Sequence, residues 1–298
     1  MRRIPHFEVQ HLNRALVDKI LRRALPLDEP AEAYHPMKYQ ALINRIAESR
    51  RWNVSHLMNA GLLTDAHGLS INLCPPDGAM IKPYPHLCKR HFVCPFCWQR
   101  VIVETFVRRV LPLVTNYQNM IKAFPGHSIK TLGAELSIEE WSAPVNSPEE
   151  GGELLKAAVS EHRLRVPLNA YGAQSLITVL PAPGTWLVRR KVFSLSSSAD
   201  VRKGPRRHRR RVQRYVIPSL YGHRLQLIKM LGEACAYPRE YLCEYPGEEY
   251  VPMVELYRAR EYAPEVKMRT MKGVFHPNQD IRLAAMATAS EEEEGEEV

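Results

Sequence analysis

The chain is 298 residues long and 45% apolar, with 41 Lys and Arg against 32 Asp and Glu, enough for one large domain or two small ones. No apolar run reaches the ~18 residues that a membrane-spanning helix takes, and the segment after Met1 lacks the apolar centre of a secretion signal. A reducing, cytoplasmic setting without a membrane partner is therefore expected. Setting aside the six glutamates among the last eight residues leaves 41 cations facing 26 acids. A body carrying +15 calls for a polyanion, most often nucleic acid. In chain order, Gln10–Leu25 reads as an amphipathic helix with Leu12, Leu16, Ile20 and Leu21 on one stripe, and Met37–Arg50 as a second with Leu42, Ile43 and Ile46 inward. Residues 1–60 thus form an N-terminal helical segment, either a cap on the core or a small docking module.

Four cysteines then fall within 24 residues, Cys74, Cys88, Cys94 and Cys97, in a Cys-x13-Cys-x5-Cys-x2-Cys arrangement. Two sulfurs separated by two residues curl onto one side of a tight turn, and a second pair completes a tetrahedron around Zn²⁺ at about 2.3 Å. Leu69–Leu73 alternates like a strand, Pro75-Pro76-Asp77-Gly78 is a turn signal, and Met80–Lys82 reads as the return strand of a hairpin that delivers Cys74 and Cys88. A structural zinc is the expectation, and the spacing leaves room for His86 or His91 in place of one sulfur. Cys235 and Cys243 show no such pattern and read as interior thiols. A long helix follows over Trp98–Ala123, so residues 61–126 form a knuckle and the helix it anchors.

Residues 127–280 read as an α+β core. Strands are expected at Ser128–Ile138, Gln174–Leu180 and Thr185–Leu195, the last two joined as a hairpin through Pro181-Ala182-Pro183-Gly184. Helices are expected at Glu149–Leu164, Leu220–Ala236 and Pro252–Glu261. That order suits an antiparallel sheet with helices on one face. Between the hairpin and the next helix, residues 202–214 hold eight cations, Arg202, Lys203, Arg206, Arg207, Arg209, Arg210, Arg211 and Arg214. Like charges at this density predict a solvated, poorly ordered loop. It is the evident phosphate contact, because each phosphate neutralised releases counter-ions. Residues 281–298 read as a disordered acidic tail.

The run Cys88-Lys89-Arg90-His91-Phe92-Val93-Cys94-Pro95-Phe96-Cys97-Trp98-Gln99-Arg100 resembles a signature of rolling-circle replication initiators, the Rep proteins of small plasmids and phages. The resemblance runs from Cys74 to about His276. It matches Ser128–Ile138 to the family's first core strand, Val254–Arg260 to the helix bearing its nicking tyrosine, and Arg269–Phe275 to the segment that follows. It implies a replication-associated DNA-binding protein, with Tyr257 in the place of the catalytic tyrosine. That chemistry also takes a His-hydrophobic-His pair on a central strand to hold Mg²⁺ or Mn²⁺ against the scissile phosphate. None of the twelve histidines here has another two residues away. The strand that would carry the pair reads Trp186-Leu187-Val188-Arg189-Arg190-Lys191-Val192-Phe193, with Arg189 and Lys191 in the i, i+2 positions. Two cations cannot ligate a metal, but they can hold a phosphate. The reading is a zinc-containing DNA-binding protein that has lost the catalytic metal site. Its rivals are an active Mg²⁺- or Mn²⁺-dependent nicking enzyme using Tyr257, with ligands such as His223, and an RNA-binding or protein-interaction module.

Overall fold

The computed structural model describes residues 36–74, 80–81, 84–85, 88–98, 132–161, 170–196, 209–217 and 224–273. The expected helix over Gln10–Leu25, the turn at Pro75–Gly78, the helix beyond Trp98, the cations Arg202, Lys203, Arg206 and Arg207, the candidate ligand His223, and the acidic tail lie outside these residues.

Helix α1 spans Pro36–Asn59. It runs nine residues past its expected end because Val54 and Leu57 continue the buried stripe of Leu42, Ile43, Ile46 and Ala47. It closes at Gly61, whose φ of 72° lets Leu62 N–H reach Leu57 O and Gly61 N–H reach Met58 O, both at 2.9 Å. Thr64 caps the next helix, α2 (Asp65–Asn72), by accepting from His67 N–H at 3.3 Å. Here the expected strand over Leu69–Leu73 is corrected. Ile71 is buried while Leu69 and Leu73 are exposed. On a strand all three would share one side. The hairpin partner is corrected with it: strand β1 (Met80–Ile81) pairs antiparallel with β2 (Tyr84–Pro85), not with Leu69–Leu73. One turn of helix, α3 (Pro95–Trp98), closes the cysteine segment.

The core follows as β3 (Leu132–Pro144), α4 (Pro148–Glu161), β4 (Ala170–Leu180), β5 (Thr185–Ser196), β6 (Arg209–Ile217), α5 (Arg224–Cys235), a 3-10 turn at Arg239–Tyr241, α6 (Pro252–Glu261) and β7 (Arg269–Gly273). The strands form one antiparallel five-stranded sheet in the order β6-β3-β5-β4-β7. The mixed α/β class and the β4–β5 hairpin, with Gly184 at φ 72° in its turn, agree with expectation.

Helices on one face only is corrected to helices on both. Along β5 the buried row changes side midway: Trp186 and Val188 are buried at the hairpin end, then Lys191, Phe193 and Leu195 on the alternate row. The first row meets α4, where a side chain on Gly151 would collide with the Trp186 ring 2.5 Å away. The second meets α5, where Lys191 Nζ donates to Glu233 O at 2.8 Å. With cover on both sides, every residue of β4 from Gly172 to Leu180 is buried.

The basic segment also differs from expectation. Residues 209–217 are an edge strand rather than a loop, paired along β3. The backbone register sets Arg209 opposite Glu140, Arg210 opposite Glu139 and Arg214 opposite Glu135. Among the described residues no helix is long and apolar enough to cross a membrane.

Candidate metal centre

Three parts of the chain deliver the sulfurs. The end of α2 brings Cys74, the turn before α3 brings Cys88 and Cys94, and α3 itself carries Cys97. Their Sγ atoms all lie within 4.8 Å of one another, and Cys97 Sγ is 3.5 Å from both Cys74 Sγ and Cys88 Sγ. A zinc ion bound to four sulfurs at 2.3 Å would space them by about 3.8 Å, so the donor set and its dimensions fit. Cys74, Cys94 and Cys97 are buried and Cys88 is half-buried, and all four are free of disulfides. Among the described residues this is the one group of three or more Cys, His, Asp or Glu side chains close enough to share an ion. His91 is not part of it, and His86 lies outside the described residues. Cys88 N–H donates to Cys74 Sγ at 3.0 Å, and Lys89, with φ 60°, bends the chain sharply just after it.

Electrostatics favour a cation among these sulfurs. Hydrogen bonds from Cys74, Cys88 and Cys97, together with the charge of Arg50, hold the Cys94 thiol well below the ordinary range. Cys97 and Cys88 are pushed up, chiefly by donating to the neighbouring Cys74. Cys74 is held below the ordinary range too, chiefly by its hydrogen bond with Cys88. Four thiolates at this spacing coexist only around a divalent ion.

Sequence reasoning missed Arg50. It is fully buried, and its Nη1 donates to Cys74 O at 3.1 Å and to Cys94 Sγ at 3.9 Å. Its Nη2 reaches Asn72 O at 3.4 Å, and its guanidinium lies 5.2 Å above the Phe96 ring. A zinc tetrathiolate carries a charge of −2, and Arg50 is the cation set against it. The signal was there: position 50 is one turn beyond Ile46 on the apolar stripe.

Aromatic side chains tie the knuckle to the core. Trp98 is fully buried and donates Nε1–H to Cys235 O at 2.8 Å. It makes edge contacts with Phe92 and Tyr237 at 5.9 and 5.5 Å, and Tyr237 packs in turn on Tyr241 at 5.8 Å. Tyr237 donates to Phe92 O at 2.5 Å, and Tyr241 donates to Val179 O on β4 at 2.9 Å. From the other side, Asn53 Nδ2 on α1 donates to Tyr241 O at 2.6 Å.

The remaining expected site residues are dispersed. Arg189 is ion-paired with Glu140 at 2.5 Å and Glu240 at 3.1 Å, and Lys191 is buried beneath α5. The fold itself occupies both. Arg209, Arg210, Arg211 and Arg214 lie along edge strand β6. Tyr257 is half-buried on α6, where burial pushes its phenol up against the opposing influence of Arg90 and Arg260. Comparison with family models, with curated proteins and with solved structures finds no match for this chain.

Proposed function

We propose that the chain is a zinc-containing DNA-binding protein, replication-associated, on a scaffold of the rolling-circle initiator kind without that family's catalytic metal pair. The observation that carries this reading is the cluster of four sulfurs within 4.8 Å in the segment that resembles the family. Two features support it. The body of the chain bears +15 once the terminal glutamates are set aside, and a polyphosphate gains affinity from every counter-ion it releases. The central strand β5 presents Arg189 and Lys191 at the i, i+2 positions, a pair that cannot bind Mg²⁺ or Mn²⁺. In this reading the zinc has no part in chemistry. It fixes the knuckle against Trp98 and α5 and so sets the cationic surface in place.

Nucleic-acid affinity then comes from the cations of residues 202–214. Arg189 and Lys191 are already engaged by Glu140, Glu240 and Glu233 O, and they contribute through the sheet. The buried phenol of Tyr257, with its raised pKa, is a poor source of phenolate. The test is one preparation assayed three ways. Metal analysis should find about one zinc per chain. Single-stranded DNA should outcompete RNA and duplex DNA at matched salt. Supercoiled DNA should stay intact with Mg²⁺ or Mn²⁺. A covalent DNA adduct that disappears in Tyr257→Phe overturns the non-enzymatic reading, and metal-free protein with intact fold overturns the whole.

A further inference from the structure

Beside the cysteine-bearing turn, three guanidiniums come from three elements: Arg90 from the knuckle turn, Arg260 from α6 and Arg269 from the start of β7. The charges of Arg90 and Arg260 act on the Tyr257 phenol, opposing the rise that burial causes. Arg260 and Arg269 also face His91. The arrangement is held in place: the Arg260 guanidinium lies 4.7 Å over the Phe92 ring, and Arg269 Nη2 donates to Gln174 Oε1 at 3.4 Å. Among the described residues no carboxylate pairs with Arg90 or Arg260. Arg260 Nη1 and His91 Nδ1 are buried here without a hydrogen-bond partner. Like-charged side chains are not gathered, and buried donors not left unmatched, without something to match them. Because Arg90, His91, Tyr257 and Arg260 are each half-buried, the group opens to solvent at its rim.

We propose that Arg90, Arg260 and His91, with the Tyr257 hydroxyl between them, form a shelf that holds one backbone phosphate of a single-stranded nucleic acid against the knuckle. The guanidiniums donate to the two non-bridging oxygens, and His91 donates from Nδ1 when the proton sits there. No bond is made or broken. The assignment rests on the nucleic-acid-binding reading and adds a place: a strand lying along the cationic face is anchored where zinc fixes the backbone. Tyr257 is a contact here and not a nucleophile.

The test compares wild type with the double variant Arg90→Gln/Arg260→Gln, using a fifteen-residue oligodeoxythymidine over a range of salt. Arg258→Gln serves as the control for loss of surface charge, since Arg258 is exposed and already paired with Glu255 at 2.8 Å. With zinc per chain unchanged, the double variant should bind about ten-fold more weakly. Its log–log salt slope should be shallower by about 0.7 for the one phosphate lost. Arg258→Gln should change neither appreciably. Unchanged affinity and slope in a double variant that retains zinc overturn the shelf. Should that variant lose its zinc, titrating wild-type protein with pyrophosphate while following the His91 ring resonances decides instead. A saturable shift supports the shelf, and no shift overturns it. Wild-type protein that ignores the oligonucleotide refutes nucleic-acid binding, whereas the pyrophosphate titration still judges the shelf alone.

Discussion

Arg50 is the residue on which the knuckle's electrostatics turn. A guanidinium removed wholly from water is costly unless its charge and donors are met. Here the cysteine cluster faces the charge, and the carbonyls of Cys74 and Asn72 accept from Nη1 and Nη2. Arg50→Met keeps the volume and removes both. Two buried carbonyls then lose a donor, at about 1–3 kcal/mol, and the cluster loses its counter-charge. Zinc affinity should drop about 10- to 100-fold, as for other groups that support metal ligands from behind, with faster transfer of zinc to a chromophoric chelator. Unchanged transfer would show that Arg50 only fills space.

Among the elements, α4 and α6 pack unusually closely, and two consecutive glycines allow it. A side chain on Gly152 would come 2.5 Å from Tyr262 Cβ and 3.0 Å from Ala259 O. The latter is backbone and cannot swing away. Gly152→Ala gains about 1 kcal/mol of helix propensity, but forcing the helices apart costs about 1–3 kcal/mol. Overpacking should win, lowering the urea midpoint with the slope unchanged. A rise in the midpoint would mean the helices separate freely. Element boundaries are legible in the sequence where chemistry is local. Pro252 starts α6 where the sequence places it, and Pro181–Gly184 makes the β4–β5 turn. Leu69–Leu73 was misread because a short run of alternate apolar residues fits a strand or a helix equally, and only the cap at Thr64 and the packing onto α1 distinguish them.

For the whole molecule, the cysteine cluster and the core are one structure. The knuckle touches α1 through Arg50, α5 through Trp98 and α6 through Phe92 and Arg260. Removing zinc should therefore loosen more than a surface loop. Chelation is expected to expose the Lys89–Arg90 peptide, raising the rate of tryptic cleavage there by about ten-fold or more, since cleavage follows the open population. Restoring zinc should reverse the effect before cleavage is complete. Equal cleavage with and without metal would show that the sulfurs hold together through packing alone.

The cysteine quartet, the α/β order and the hairpin are properties of neighbours along the chain, so spacing and periodicity suffice to read them. The fate of the charges is a different matter. Arg50 meets a sulfur 44 residues away, Lys191 a carbonyl 42 residues away, and Arg189 the carboxylates of Glu140 and Glu240 on two other elements. Whether a cation is buried, paired or left for a ligand depends on which distant groups the fold brings to it, and a linear pattern of charge holds no record of that. The chain alone determined where a metal would sit. Only the tertiary structure decided which of its many cations the protein keeps for itself, because pairing energy depends on distance in space.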